Sequence, residues 1–113
     1  MAKAPNSGYV VIFITTGADE EAQLISRVLL EQKKAACVNI IPEVNSLFWW
    51  KSKIDSSRES LLVVKTKASL VDEVVQVVKE VHSSDVPEII ALPIVGGSRD
   101  YLDWIDKELE NEG

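Results

Sequence analysis

From Tyr9 to Thr15 the chain reads YVVIFIT, a run of β-branched and aromatic side chains that predicts a strand. Gly17 breaks it, and the apolar period then changes. Ala18, Ala22, Ile25 and Leu29 recur at helical spacing, with Asp19, Glu20 and Glu21 placed for the positive end of a helix dipole. This predicts an amphipathic helix reaching Lys33 or Lys34, whose charges suit the negative end. Ala36 to Trp50 is a second extended stretch, interrupted at Pro42. Lys51-Ser52-Lys53 predicts a tight turn, and Ile54 to Lys67 a returning strand. Together they predict a long hairpin.

Leu70 to Val81 sets two signals against each other. Its valines favour a strand by propensity. Yet Val71, Val74, Val75, Val78 and Val81 fall at helical spacing with polar residues in the gaps, and periodicity is the stronger signal. A helix is therefore expected. Glu88 to Val95 predicts a fourth strand, and Pro93 within it points to an edge or a bulge. Gly96-Gly97 predicts a turn. Ser98 is a candidate N-cap for a last short helix carrying Tyr101, Leu102, Ile105 and Leu109. Glu108, Glu110 and Glu112 crowd its negative end, where fraying is expected.

The order β-α-β-β-α-β-α predicts an α+β protein. Its frame is the ferredoxin-like βαββαβ antiparallel sheet with the two main helices on one face, plus a short C-terminal helix. A polar, disordered lead is expected over residues 1–8 and a single domain over 9–113. Yet Val10 to Ile14, Leu61 to Val64 and Ile89 to Leu92 are apolar at every position, whereas a sheet with one wet face alternates. The second face therefore needs a cover, and a second copy of the chain is the economical one. The hairpin agrees: about fifteen residues at ~3.3 Å each span about 50 Å, beyond the reach of so small a domain. Leu47, Phe48, Trp49 and Trp50 at its tip would form an exposed apolar patch unless covered.

Composition narrows the function. The 113 residues carry 12 basic and 18 acidic side chains, a net charge of −6, which argues against a nucleic-acid partner. Lys51, Lys53, Lys65 and Lys67 are diluted by carboxylates. No apolar run approaches the ~18–20 residues of a membrane span. The single cysteine, Cys37, forms no internal disulfide, and a cytoplasmic location is expected. His82 is the one histidine. With Asp85 and Glu88, at spacings of three, it could offer a nitrogen and two oxygens to a divalent metal such as copper or zinc, and its place at a helix end favours an imidazolium. Cys37 sits among small apolar residues and reads first as a packed thiol. Gly96-Gly97-Ser98 reads first as a turn, with an anion cradle as the alternative. Glu59 and Lys65 on the returning strand read equally as solvated or as pairing across an interface. No phosphate loop, zinc-finger spacing or Ser-His-Asp order is present, and no enzyme activity is expected.

Five ordered blocks resemble the CutA family. Ala35-Ala36-Cys37-Val38-Asn39-Ile40 is similar to its AACVN signature, and Ser46 to Ile54 to its S-x-Y-x-W-x-G-K-I hairpin. Glu59 to Thr66 resembles E-x-L-L-x-x-K-T. His82 and Val86-Pro87-Glu88-Ile89 resemble H-P-Y-x-V-P-E-I, and Tyr101 to Trp104 the final Y-x-x-W. The resemblance implies a homotrimer, divalent-cation tolerance, and binding of Cu(II) or a related metal ion at His82 with Glu88. It also implies subunit contacts or clefts involving Cys37, Phe48, Trp49, Trp50, Glu59, Lys65, Tyr101 and Trp104. An alternative is a trimeric signalling or scaffold module of PII-like kind, with a small ligand or protein partner between subunits. Five positions depart from the pattern: Phe48 for Tyr, Ser52 for the turn Gly, Ser83-Ser84 for Pro-Tyr, and Ile14 where some relatives carry a cysteine.

Overall fold

The computed structural model describes residues 8–110. The expected disordered lead, Gly8 apart, therefore lies outside the described residues. Strands β1 (Tyr9–Thr16), β2 (Cys37–Trp50), β3 (Lys53–Lys67) and β4 (Ile89–Pro93) form one sheet in the order β2-β3-β1-β4. Every neighbouring pair is antiparallel, the ferredoxin-like arrangement that the element order predicts. Both strand prolines fall where a missing N–H is tolerated. Pro93 ends the edge strand β4. Pro42 lies in the irregularity of edge strand β2 between Ile41 and Val44, where Ser60 Oγ donates to its carbonyl at 2.9 Å.

Helices α1 (Asp19–Glu31) and α2 (Val71–Val81) cover one face. Burial alternates along the central strands. Val10, Ile12 and Ile14 on β1, with Leu62 and Val64 on β3, meet Ala22, Ile25 and Leu29 of α1 and Val74, Val77 and Val78 of α2. The valine-rich segment is helical because that period buries a single stripe against the sheet. Helix α1 stops at Glu31, short of the two lysines expected at its end. Lys33 takes a left-handed backbone (φ 60°), which turns the chain toward β2. The lysines serve tertiary contacts instead. Lys34 Nζ pairs with Glu73 of α2 at 2.7 Å, and Lys33 Nζ donates to the Glu108 carbonyl at 3.0 Å.

The opposite face carries Tyr9, Val11 and Phe13 of β1, Leu61 and Val63 of β3, and Ile90 and Leu92 of β4. Helix α3 (Arg99–Leu109) closes one end of it, capped by Ser98 Oγ, which accepts from Tyr101 N. Ile105 and Leu109 are buried there. A polar strap fastens the helix: Tyr9 Oη donates to Asp106 at 3.0 Å, and Lys67 Nζ reaches the other carboxylate oxygen at 3.1 Å. Hydrogen bonds from Lys67 and then Tyr9 hold the Asp106 carboxyl below its ordinary range. A depressed folded value means stability is gained above the unfolded value of about 3.9 and lost as pH falls through the lower folded one. Burial, and the bond to Asp106, push the Tyr9 phenol up, so its contribution is lost only as pH rises above about 10. Thermal melts of the wild type should therefore fall more steeply below about pH 4 than those of Asp106→Asn. Parallel curves would remove the strap.

Beyond the sheet, the β2–β3 hairpin carries on as a two-stranded arm, and the longest dimension of the chain reaches 43 Å. At its tip Lys51 and Ser52 both have positive φ (51° and 67°), the pattern of a type I′ turn that suits the twist of a hairpin. Side chains other than glycine are strained there. Ser52→Gly is expected to stabilise the chain by about 0.5–1 kcal/mol, read as a higher melting temperature.

Candidate functional site

The last turn of α2 delivers His82 to the end of the sheet. His82 has an extended backbone (φ −79°, ψ 144°), so its ring turns back toward β1. Its side chain is 5% exposed. Nε2 lies 2.7 Å from the Thr15 carbonyl, and Nδ1 accepts from the Ser84 backbone N–H at 3.0 Å. Both ring nitrogens are thus engaged by backbone groups. The ring caps a strand carbonyl and a loop amide, not the helix carbonyls.

Beside it stands Glu21, from the first turn of α1. Its Oε1 accepts from Gly17 N at 2.6 Å and Ser83 Oγ at 3.1 Å, and its Oε2 accepts from Ser83 N at 2.6 Å. The same Oε2 lies 3.7 Å from His82 Nδ1. Burial pushes the Glu21 carboxyl up, but the Gly17 and Ser83 donors and the neighbouring ring outweigh it and hold the carboxyl below its ordinary range. Sequence reading missed Glu21 as a site residue, since a first-turn acid looks like a dipole partner.

Between this network and the hairpin lies a groove of about 630 Å³, lined by Thr15, Ser46, Leu47, Phe48, Trp50, Glu59, His82, Ser84, Val86, Pro87 and Glu88. It brings together five residues that the sequence singles out: Phe48, Trp50, Glu59, His82 and Glu88. Among the described residues no lysine or arginine lines it. Ser46 Oγ donates to Glu59 at 2.6 Å, which anchors that carboxylate to the hairpin. Asp85 is exposed and does not line the groove. Ile14, the position of some relatives' cysteine, is buried in the core.

The remaining candidates lie elsewhere. Cys37 pairs with Lys65 across β2 and β3, and its thiol lies beside the Tyr101 hydroxyl. Partial burial, and then Cys37, push the Tyr101 phenol up. Cys37 is half-buried, so the packed-thiol reading holds only in part. Lys65 donates to the Asn39 amide oxygen. Tyr101 and Trp104 contact each other with ring centroids 5.5 Å apart. Trp49 projects outward at the hairpin tip, 73% exposed.

The donor set does not form a closed metal cage. Among the described residues no group of three or more His, Cys, Asp or Glu side chains is placed to hold an ion. His82 offers Nδ1 only if the Ser84 amide lets go. One imidazole and two carboxylates are instead spread along the lining of the groove.

Fold and groove together define a ferredoxin-like α+β protein with a projecting aromatic hairpin. Residues 10–108 match the CutA1 divalent ion tolerance protein family, and the chain belongs to it. The divalent-cation tolerance protein CutA of Archaeoglobus fulgidus is 46% identical over 99 residues, covering 88% of this chain and 96% of that protein. Its structure, described as the periplasmic divalent cation tolerance protein CutA, superposes with a TM-score of 0.88 at 44% identity, covering 90% of this chain and 99% of that one. The chloroplastic protein CutA 1 of Oryza sativa is 42% identical over 85% of this chain. The chain spans about half the length of the curated plant relatives, 54% of the rice protein and 56% of the Arabidopsis thaliana one. The periplasmic and chloroplastic names overturn the cytoplasmic expectation. A lone cysteine excludes an internal disulfide, and that is compatible with any of these compartments. Among the described residues no helix is long and apolar enough to cross a membrane.

Proposed function

We propose that the chain acts in divalent-cation tolerance without catalysis, as a homotrimer that takes copper or a related divalent ion as exchanging cargo in the groove. The observation carrying this reading is that His82, Glu59 and Glu88 line one groove to which, among the described residues, no lysine or arginine contributes. Nδ1 of His82 becomes a ligand when it gives up the Ser84 N–H, at a cost of about 1 kcal/mol. Glu88, exposed on the groove, meets the ion from the solvent side. In titration calorimetry with Cu(II), His82→Ala and Glu88→Gln are each expected to weaken binding about tenfold, which corresponds to one lost contact of ~1.4 kcal/mol. Unchanged affinity in both variants would end the assignment.

Trimer formation draws its support from the uncovered sheet face and the aromatic tip. Ile90 and Leu92 are 50% and 44% exposed, with Trp50 and Ile54 open beside Trp49. Apolar surface of this extent marks an association site. The Tyr101–Trp104 pair, on the same side of the sheet as Lys65, favours a second reading: a PII-like signalling or scaffold module with a ligand between subunits. A thermal-shift screen separates the two. Stabilisation by a nucleotide and not by Cu(II) selects the second, and the reverse selects the first.

A further inference from the structure

We infer that Glu21 is the positioning residue of the groove: its carboxylate clasps the turn after α2 and so sets the His82 ring and the Ser83–Glu88 wall. The inference rests on the cation reading above for its functional meaning, and on geometry for its structural one.

The turn has little else to hold it. Ser83, Ser84, Asp85 and Val86 are all exposed, and Val86 packs against almost nothing. A loop without apolar contacts opens at low free energy unless polar groups pin it. Glu21 supplies those groups. It accepts both the amide and the hydroxyl of Ser83, 62 residues away, while the Gly17 amide holds the same carboxylate from its own side. The anchor is rigid, because the next residue, Ala22, and then Ile25 are buried in the core. The clasp thus passes the position of the core to a loop that touches the core little itself.

Two details fit a built device. The Glu21 side chain is 14% exposed, so its bonds act in a largely dry setting. A Cβ at residue 17 would stand 2.9 Å from Glu21 Oε1, so glycine at that position leaves the carboxylate room to accept the residue 17 amide. With Ser83 held, the Ser84 amide is presented to Nδ1, and that nitrogen lies 3.7 Å from Glu21 Oε2. A cation reaching Nδ1 would meet a ring whose orientation Glu21 has prepared.

The test compares wild type, Glu21→Ala, Gly17→Ala and Glu20→Ala by hydrogen exchange and by Cu(II) calorimetry. Glu20 is an exposed acid in the same first turn and controls for the loss of helix-dipole charge. Glu21→Ala is expected to speed exchange of the Gly17, Ser83 and Ser84 amides at least tenfold, leaving Ile12 and Leu62 amides unchanged, and to raise the Cu(II) Kd at least fivefold. Gly17→Ala, which displaces the carboxylate without removing it, should give a smaller change of the same kind, and Glu20→Ala none. Should Glu21→Ala fail to fold, Gly17→Ala carries the test. Unchanged exchange at Ser83 and Ser84 overturns the positioning role whatever the metal result. A wild type that takes no Cu(II) overturns the cation reading, and the exchange data then decide the loop separately.

Discussion

Ile90→Glu is expected to dissociate the proposed homotrimer into single chains that remain folded. Ile90 pairs with Phe13 on the sheet face away from α1 and α2, and in the isolated chain half of it is open to water. A carboxylate there stays solvated in a lone chain and costs that chain little. Against another copy it loses its water without gaining a partner, a penalty of several kcal/mol. The isoleucine burial it forfeits adds about 1.5–3 kcal/mol. A combined loss near 4 kcal/mol weakens association about a thousandfold. Sedimentation equilibrium at micromolar concentration should show one-chain mass with an unchanged far-ultraviolet spectrum. A wild type that already sediments as a single chain would remove the homotrimer from the proposal.

Leu62→Ala is expected to be the most damaging of the substitutions named, lowering stability by about 2–5 kcal/mol. Leu62 is fully buried in the central strand β3 under both main helices, where a lost side chain leaves a cavity. That is a large part of the roughly 5–15 kcal/mol typical of such a domain. Its neighbour makes the comparison sharp. Leu61 is the same residue type one position earlier, but it faces the open side and is only partly buried. Leu61→Ala should cost a lone chain less than half as much, and its cost should grow with protein concentration as copies associate. Chemical denaturation at two concentrations reads both. Equal, concentration-independent losses would mean that the two faces are covered alike within one chain.

Much of the frame was legible because local physics wrote it into adjacent residues. The valine-rich α2 declared itself through period despite its strand-forming side chains. Pro93 marked the edge strand β4, and Pro42 the interruption in β2, since neither can donate to a ladder. Phe48, Trp50, Glu59, His82 and Glu88 were legible as individuals, and the groove unites them. Other features were not legible. Lys33 and Lys34 looked like helix-end charges, yet the chain turns before them and their ammonium groups reach Glu108 and Glu73. The spacing of His82, Asp85 and Glu88 suggested a ligand set. The extended backbone at His82 swings the ring to Thr15 and leaves Asp85 outside. Nothing near Glu21 announces Ser83, because the contact exists only once α1 and α2 lie side by side.

The amino-acid sequence by itself determined the elements, their order and the two-sided apolar strands. Those depend on period, propensity and backbone chemistry, which act between residues close along the chain. It also carried the family motifs. Only the tertiary structure decided which polar groups meet: Glu21 with Ser83, His82 with Thr15, Tyr9 and Lys67 with Asp106. The reason is physical. A hydrogen bond across 60 or 90 residues is set by how helices dock on a sheet to within an ångström, and no local pattern encodes that distance.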